Sequence, residues 1–371
     1  MTVGDTFMNK SLLVVALGLQ AAAAFAQSSV TIFGTIDADI ARYELNGVSR
    51  TIVGSSGGSP SLLGFRGTEE LGGGLVAGFW LEAALLNDTG AGNAASGGLA
   101  FLRRSTVGLS TPYGEVRLGR ENSPTFWNHL VFDPFNGVGP GSATNIGIGA
   151  GGNGAASANP LTSPFVSNTI NYRYGYAPNS SSYIGRGLYF QLMYGAAENA
   201  SGTPALGRYT GGRIGYASGP ANVAFAYSRS EGPPTYGAAT PTSEFTETSL
   251  GGSWDFGFAK LMGRVGINET ELAGSEYRFW GIGASVPVGT GYIPVSYNTT
   301  KRNNAAGSGA SQLAVGYVYP LSRRTSIYTS FARLHNEGGD TFTFRGGNGG
   351  TSGLAGGGSG TGYDIGIKHS F

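Results

Sequence analysis

Gly54-Ser55-Ser56-Gly57-Gly58 fits G-x-S-x-G, the spacing that lifts a nucleophilic serine onto a strained turn. Gly147-Ile148-Gly149-Ala150-Gly151-Gly152 fits G-x-G-x-x-G, whose glycines let a backbone approach a pyrophosphate. Both chemistries need a strand running into the motif and a helix opening out of it, and neither segment has that setting. With 66 glycines in the chain, such spacings arise by chance. His129, His335 and His369 are too far apart to form a metal-ligand spacing. Ser370 cannot use His369 as a base, because neighbours on a strand point to opposite faces. Cysteine is absent, which removes disulfides, thiolate metal sites and thiol nucleophiles together. No enzyme, metal site or cofactor is expected.

What remains is electrostatics. Arg outnumbers Lys 19 to 4, yet net charge is only +1, so no overall field points to nucleic acid as a partner. Where the arginines fall matters more than their total, since a guanidinium stays charged in any setting. Charged residues are 12% of the chain, while Phe and Tyr number 20 and 19. Mean hydropathy is close to zero. Such a chain must hide apolar surface, but no stretch past residue 30 has the ~20 consecutive apolar residues of a spanning helix. Many short strands, each with one face to lipid and one to water, achieve the same end.

The pattern from Val30 onward has period 2. Val30, Ile32, Gly34, Ile36, Ala38 and Ile40 alternate with Thr31, Phe33, Thr35, Asp37, Asp39 and Ala41. Tyr363, Ile365, Ile367 and Phe371 oppose Asp364, Gly366, Lys368 and Ser370. Sixteen such segments fall at 30–44, 61–68, 74–86, 101–110, 113–120, 168–175, 187–196, 207–216, 220–230, 244–255, 258–269, 276–287, 290–300, 311–319, 325–335 and 361–371. Short connections (69–73, 217–219, 256–257, 289) separate long ones (45–60, 87–100, 121–167, 231–243, 336–360). A soluble β-sandwich would carry more surface charge and show no bias in connection length. The expectation is all-β: a 16-stranded antiparallel transmembrane β-barrel, with both ends on the short-turn side.

Met8-Asn9-Lys10, the apolar Ser11–Leu19 and Ala24-Phe25-Ala26 read as a secretory signal over residues 1–26, with Met1 or Met8 as the start. The barrel domain is then 27–371. An alternating strand runs to Phe371, which would join an aromatic girdle at the lipid boundary while its strand pairs with the first.

Several segments resemble the Gram-negative trimeric porins, in particular the β-proteobacterial branch. Ser28-Ser29-Val30-Thr31-Ile32-Phe33-Gly34-Thr35-Ile36-Asp37 is similar to the opening strand of that family. Leu63-Gly64-Phe65-Arg66-Gly67-Thr68-Glu69-Glu70-Leu71-Gly72-Gly73-Gly74-Leu75 resembles its second strand and first periplasmic turn. Phe101-Leu102-Arg103-Arg104-Ser105-Thr106-Val107-Gly108-Leu109 and Gly114-Glu115-Val116-Arg117-Leu118-Gly119-Arg120 look like strands four and five. Tyr319-Pro320-Leu321-Ser322-Arg323-Arg324-Thr325 and Gly366-Ile367-Lys368-His369-Ser370-Phe371 are similar to the last turn and terminal signature.

The resemblance implies an outer-membrane homotrimer set in lipid and lipopolysaccharide. The barrel-assembly machinery would read Tyr363, Ile365, Ile367 and Phe371. Each barrel would be narrowed by an inward-folded third loop and would pass small hydrophilic solutes and ions by diffusion. Residues 121–167 are the candidate loop, a length unusual for an unstructured connection unless it is functional. Asp133-Pro134-Phe135-Asn136-Gly137 resembles the acidic bend at the constriction. The implied wall bases are Arg66, Arg103 and Arg120, with Asp133 and Glu121 as acids. Arg66 also follows from alternation, since Leu63 and Phe65 would face lipid. Arg104, of opposite phase, is expected near an end or at the trimer contact. Leu62 and Phe165 stand where the family often has arginine, which weakens the positive wall and leaves selectivity open. Two other functions compete: a substrate-selective channel with an aromatic track of Phe126, Trp127, Phe132 and Phe135, and a non-conducting structural or adhesive barrel.

Overall fold

The computed structural model describes residues 29–92, 94, 96–147, 164–198, 208–231, 244–270, 275–303, 307–344 and 352–371. The signal segment lies outside them, as do most of Gly147–Gly152 and parts of the longest loops. The strands are β1 (Ser29–Leu45), β2 (Val48–Ser55), β3 (Leu62–Gly72), β4 (Leu75–Leu86), β5 (Ala91–Gly92), β6 (Arg104–Thr111), β7 (Gly114–Asn122), β8 (Phe165–Tyr174) and β9 (Gly187–Gly195). They continue as β10 (Tyr209–Ser218), β11 (Ala221–Glu231), β12 (Glu244–Asp255), β13 (Lys260–Thr270), β14 (Ser275–Val288), β15 (Gly291–Arg302), β16 (Gly309–Pro320), β17 (Thr325–Glu337) and β18 (Ser359–Ser370). Two short helices follow β7: α1 (Pro124–Val131) and α2 (Thr144–Gly147).

Each wall strand pairs antiparallel with its neighbour. β18 returns to β1 from Thr35↔Ser370 to Leu45↔Gly360, which closes the sheet and leaves no lipid-exposed edge there. The small β5 pairs only with the end of β4. β2 and β3 share one wall position: β2 covers the upper half of β1 and β3 the lower half. Counted this way the wall is a closed 16-stranded barrel, as the alternation implies. Apolar side chains face outward and exposed, Leu118 at 49% and Ile367 at 50% being typical. The inward face is rich in Gly, Ser, Asn and Thr, small groups that leave room for chain folded inside.

Two connections differ from the sequence expectation. Residues 45–60 are not a long loop. Asn46 and Gly47 (φ 52° and 76°) make a two-residue turn, the geometry that twisted hairpins favour, and β2 follows at once. Residues 56–61 then leave the wall and fold inward, where Gly58 N–H donates to Asp37 Oδ2 at 3.2 Å and Ser61 Oγ to the Asp37 carbonyl at 3.0 Å. Residues 54–58 therefore form no nucleophile elbow: no helix follows them. The second difference is at the short-turn mouth. Turns there run from two to four residues, but β8 and β9 are joined by twelve, 175–186.

Candidate functional site: the narrowed lumen

The third loop begins at Ser123, whose Oγ caps α1 by accepting from Phe126 N–H at 3.3 Å, with Pro124 in the first turn. From α1 the loop runs along the inner wall. Asn128 Nδ2 donates to Ser249 Oγ at 3.1 Å and to the Ala224 carbonyl at 3.3 Å. Gln312 Nε2 donates to the Ser142 carbonyl at 2.9 Å, and Asn145 Nδ2 to Gln312 Oε1 at 3.0 Å. Between these anchors the wall offers bare glycines: a Cβ on Gly251 would overlap the Phe132 ring, and one on Gly283 the Pro134 ring. The loop thus lies in a groove cut by missing side chains.

Asp133 stands in the bend and organises it. Its carboxylate accepts from the backbone N–H of Phe135 (3.1 Å), Gly137 (3.0 Å) and Ala143 (3.0 Å), and the side chain is 2% exposed. Burial raises its pKa, opposed by nearby Arg264 and by those three donors. The bend acid is spent on the loop's own backbone. Trp127, Phe132 and Phe135 are also buried, Phe132 and Phe135 against the wall glycines Gly251 and Gly316 and Trp127 against Tyr183. An aromatic track lining the water path is not what these rings form.

His129 is the anchor that a single sequence hides. Its Nε2 lies 2.6 Å from Glu247 Oε1 on β12, and its Nδ1 2.5 Å from Arg264 Nη1 on β13. Arginine can only donate, so Nδ1 accepts and Nε2 carries the proton given to Glu247. The ring is neutral in this arrangement. Burial holds its pKa below the ordinary imidazole value, with Glu247 opposing and Arg264 reinforcing the shift.

The other side of the lumen carries a buried charge cluster. Glu121 Oε2 is 3.2 Å from Arg104 Nε and 2.9 Å from Arg117 Nη1, and Arg117 Nε is 2.8 Å from Glu115 Oε1. Arg104 also lies over the Trp80 ring, 4.4 Å from its centroid. Of the two places expected for Arg104, it takes the end of its strand, with its side chain buried inward. β6 begins at Arg104, so alternation starts there, and Arg103 lies just before the ladder. Arg117, Arg173 and Arg213 were readable as inward, since Leu118, Ile170 and Ile214 keep the exposed phase.

The sequence-derived bases fall in three different settings. Arg66 is exposed on the inward face of β3, with its guanidinium 5.3 Å from the Phe33 ring centroid and 5.1 Å from that of Trp80. Arg103 reaches Glu82 (Nε to Oε2 3.6 Å) and lies 5.4 Å from the Phe165 centroid. Arg120 stands apart. It keeps the outward phase of Val116 and Leu118, pairs with Ser105 and donates to the Leu102 carbonyl and to Ser167 Oγ, both at 2.6 Å. Glu121, four residues after Arg117, falls inward with it by plain alternation. Further round the wall, Asp37, Asp39 and Asp364 form a buried acidic patch on β1 and β18, with Tyr328 O–H donating to Asp37 Oδ1 at 2.5 Å.

A closed tube with a chain folded across its water-filled interior is a channel design, and comparison with known proteins identifies it. A family described as Gram-negative porin matches residues 11–339. The chain belongs to the Gram-negative porin family. Outer membrane porin protein 32 of Delftia acidovorans is 37% identical over 376 residues, covering 98% of this chain and 100% of the relative. An outer membrane porin protein of Bordetella pertussis is 28% identical over 384 residues, covering 86% of this chain and 93% of the relative. Among solved structures, an anion-selective porin from Comamonas acidovorans superposes with a TM-score of 0.75 at 35% identity, over 93% of this chain and 100% of that one. Salmonella typhi OmpF, 16% identical with a TM-score of 0.65 and coverage of 92% and 97%, shares the fold. This porin is therefore an outer-membrane β-barrel that forms a channel for passive diffusion. Its long-loop mouth is extracellular and its short-turn mouth periplasmic.

Proposed function

We propose that this porin passes small hydrophilic anions in preference to cations, as one of three identical barrels in a homotrimer. The observation that carries the preference is Arg66, a base exposed on the lumen face beside the paired rings of Phe33 and Trp80. Arg103 supplements it above, partly offset by Glu82. Guanidiniums beside the water path raise local anion concentration and slow cations. The Comamonas relative described as anion-selective supports the same sign. Leu62 and Phe165 contribute no charge, which makes the preference modest; Phe165 serves instead as a platform for Arg103 and Arg120.

Export would follow cleavage after Ala26. Assembly would proceed through the barrel-assembly machinery acting on the strand that carries Tyr363, Ile365, Ile367 and Phe371, with lipopolysaccharide around the extracellular half. The test of selectivity is Arg66→Ala in a planar bilayer under a salt gradient. The reversal potential is expected to move toward cation preference. An unchanged reversal potential, with trimer present in normal amount, removes Arg66 from the ion path.

A further inference from the structure

We propose that residues 175–186 form a second restriction, folded into the barrel from the periplasmic mouth, which takes Arg117, Arg173 and Arg213 out of the ion path. The segment leaves β8 through Gly175 (φ 82°) and does not hang below the barrel. It crosses the inner wall as far as β3 and β4, where Asn179 Nδ2 donates to the carbonyls of Gly67 (3.1 Å) and Phe79 (3.3 Å). Gly78 leaves the space for it, since a Cβ there would stand 3.0 Å from the Asn179 amide.

Three arginines hold the segment by its backbone. Arg117 Nη2 and Arg173 Nη1 both donate to the Ser180 carbonyl at 2.9 Å. Arg173 Nη2 donates to the Ser182 carbonyl at 3.0 Å, and Arg213 Nη1 to the Tyr183 carbonyl at 2.5 Å. All three side chains are buried, Arg173 lying 3.9 Å from the Tyr176 ring centroid and 5.0 Å from that of Trp127. Above, the Tyr183 ring meets Trp127 of α1 edge-on, centroids 4.5 Å apart. The third loop and this segment therefore touch, one from each mouth, and close the sector of lumen beneath β7 to β10.

The consequence is a division of labour among bases that look alike in the sequence. Arg66 faces water. Arg117, Arg173 and Arg213 each give at least one N–H to a carbonyl of the segment, Arg117 giving others to Glu115 and Glu121, and the segment covers them. Removing the cover should widen the passage and add positive charge to its wall, whichever ion the parent prefers.

The experiment replaces residues 178–184 with Gly-Ser-Gly and records single channels and reversal potentials in planar bilayers. Conductance is expected to rise and the reversal potential to shift toward anions. Parent values in a correctly folded, heat-modifiable barrel overturn the proposal. Ser181→Cys covers the case in which the shortened chain fails to fold. Ser181 is exposed, and the natural chain has no cysteine to compete. A bulky, charged methanethiosulfonate reagent is expected to lower the current through this full-length variant and leave the parent unchanged. Complete labelling, verified by mass, with no change in current would place the segment outside the ion path and overturn the proposal.

Discussion

The two segments that enter the lumen are held by different balances of the same contacts. The third loop is fitted into the wall: its rings and prolines occupy places where Gly251 and Gly283 present no side chain, and its polar anchors reach side chains on β12, β13 and β16. Residues 175–186 rest chiefly on guanidiniums reaching from β7, β8 and β10 to backbone carbonyls, with Asn179 seated over Gly78. A fitted loop is specified by its own sequence and by its groove. A tethered one is specified chiefly by the wall. An arginine count along a porin therefore mixes charges that meet solutes with charges that serve as clamps.

The largest effect expected from breaking this contrast is at Glu121, which compensates both Arg104 and Arg117. Glu121→Leu leaves two buried guanidiniums with less counter-charge, and losing one member of a buried ion-pair network costs about 3–5 kcal/mol. The temperature at which the barrel loses heat-modifiable mobility should drop well below that of the parent, and the periplasmic segment should become protease-sensitive. An unchanged transition would mean that the cluster is solvated, contrary to its burial.

Next comes the groove under the third loop. Gly251→Val places methyl groups where the Phe132 ring lies, and overpacking of this kind costs about 1–3 kcal/mol. The loop should lift, so current noise should increase while the wall strands stay intact by circular dichroism. Quiet, parent-like channels would show that the groove is not what seats the loop.

The sequence disclosed the wall almost completely, because lipid on one side and water on the other enforce a period of two on every strand. It disclosed less where the chain leaves that rule. Asn46-Gly47 was a legible hairpin signal that the apparent length of 45–60 concealed. Arg117 was legible from the exposed phase of Val116 and Leu118. The same two residues put Arg120 on the outward phase, so alternation was a better guide there than the wall position that the resemblance implied. His129, Glu247 and Arg264 lie on three separate elements, and nothing in their local sequence announces that they meet.

The smallest effect at neutral pH, and the sharpest test of how the third loop is seated, belongs to His129. Its Nδ1 accepts from Arg264, so a proton on that nitrogen would set two N–H groups against each other at 2.5 Å. The groups around it are Glu247 on β12, Arg264 on β13 and Asp133 in the bend, with the Phe279 ring of β14 alongside. With its pKa lowered in the seated state, the ring takes up a proton more readily when the loop is detached. The seating is therefore at full strength above the ordinary imidazole value of about 6.5. It weakens as pH falls below that value, down to the lowered pKa of the seated ring, at no more than about 1.4 kcal/mol per pH unit. Acidification should bring on channel flicker or closure. His129→Gln can keep both bonds, its Oε1 accepting from Arg264 and its Nε2 donating to Glu247, and it cannot titrate. Its conductance at neutral pH should match the parent, and the acid response should disappear while Glu247 and Asp133 remain in place. An identical acid response in the Gln variant would move the sensor to those carboxylates, and would show that the imidazole bridge does not govern how firmly the loop is held.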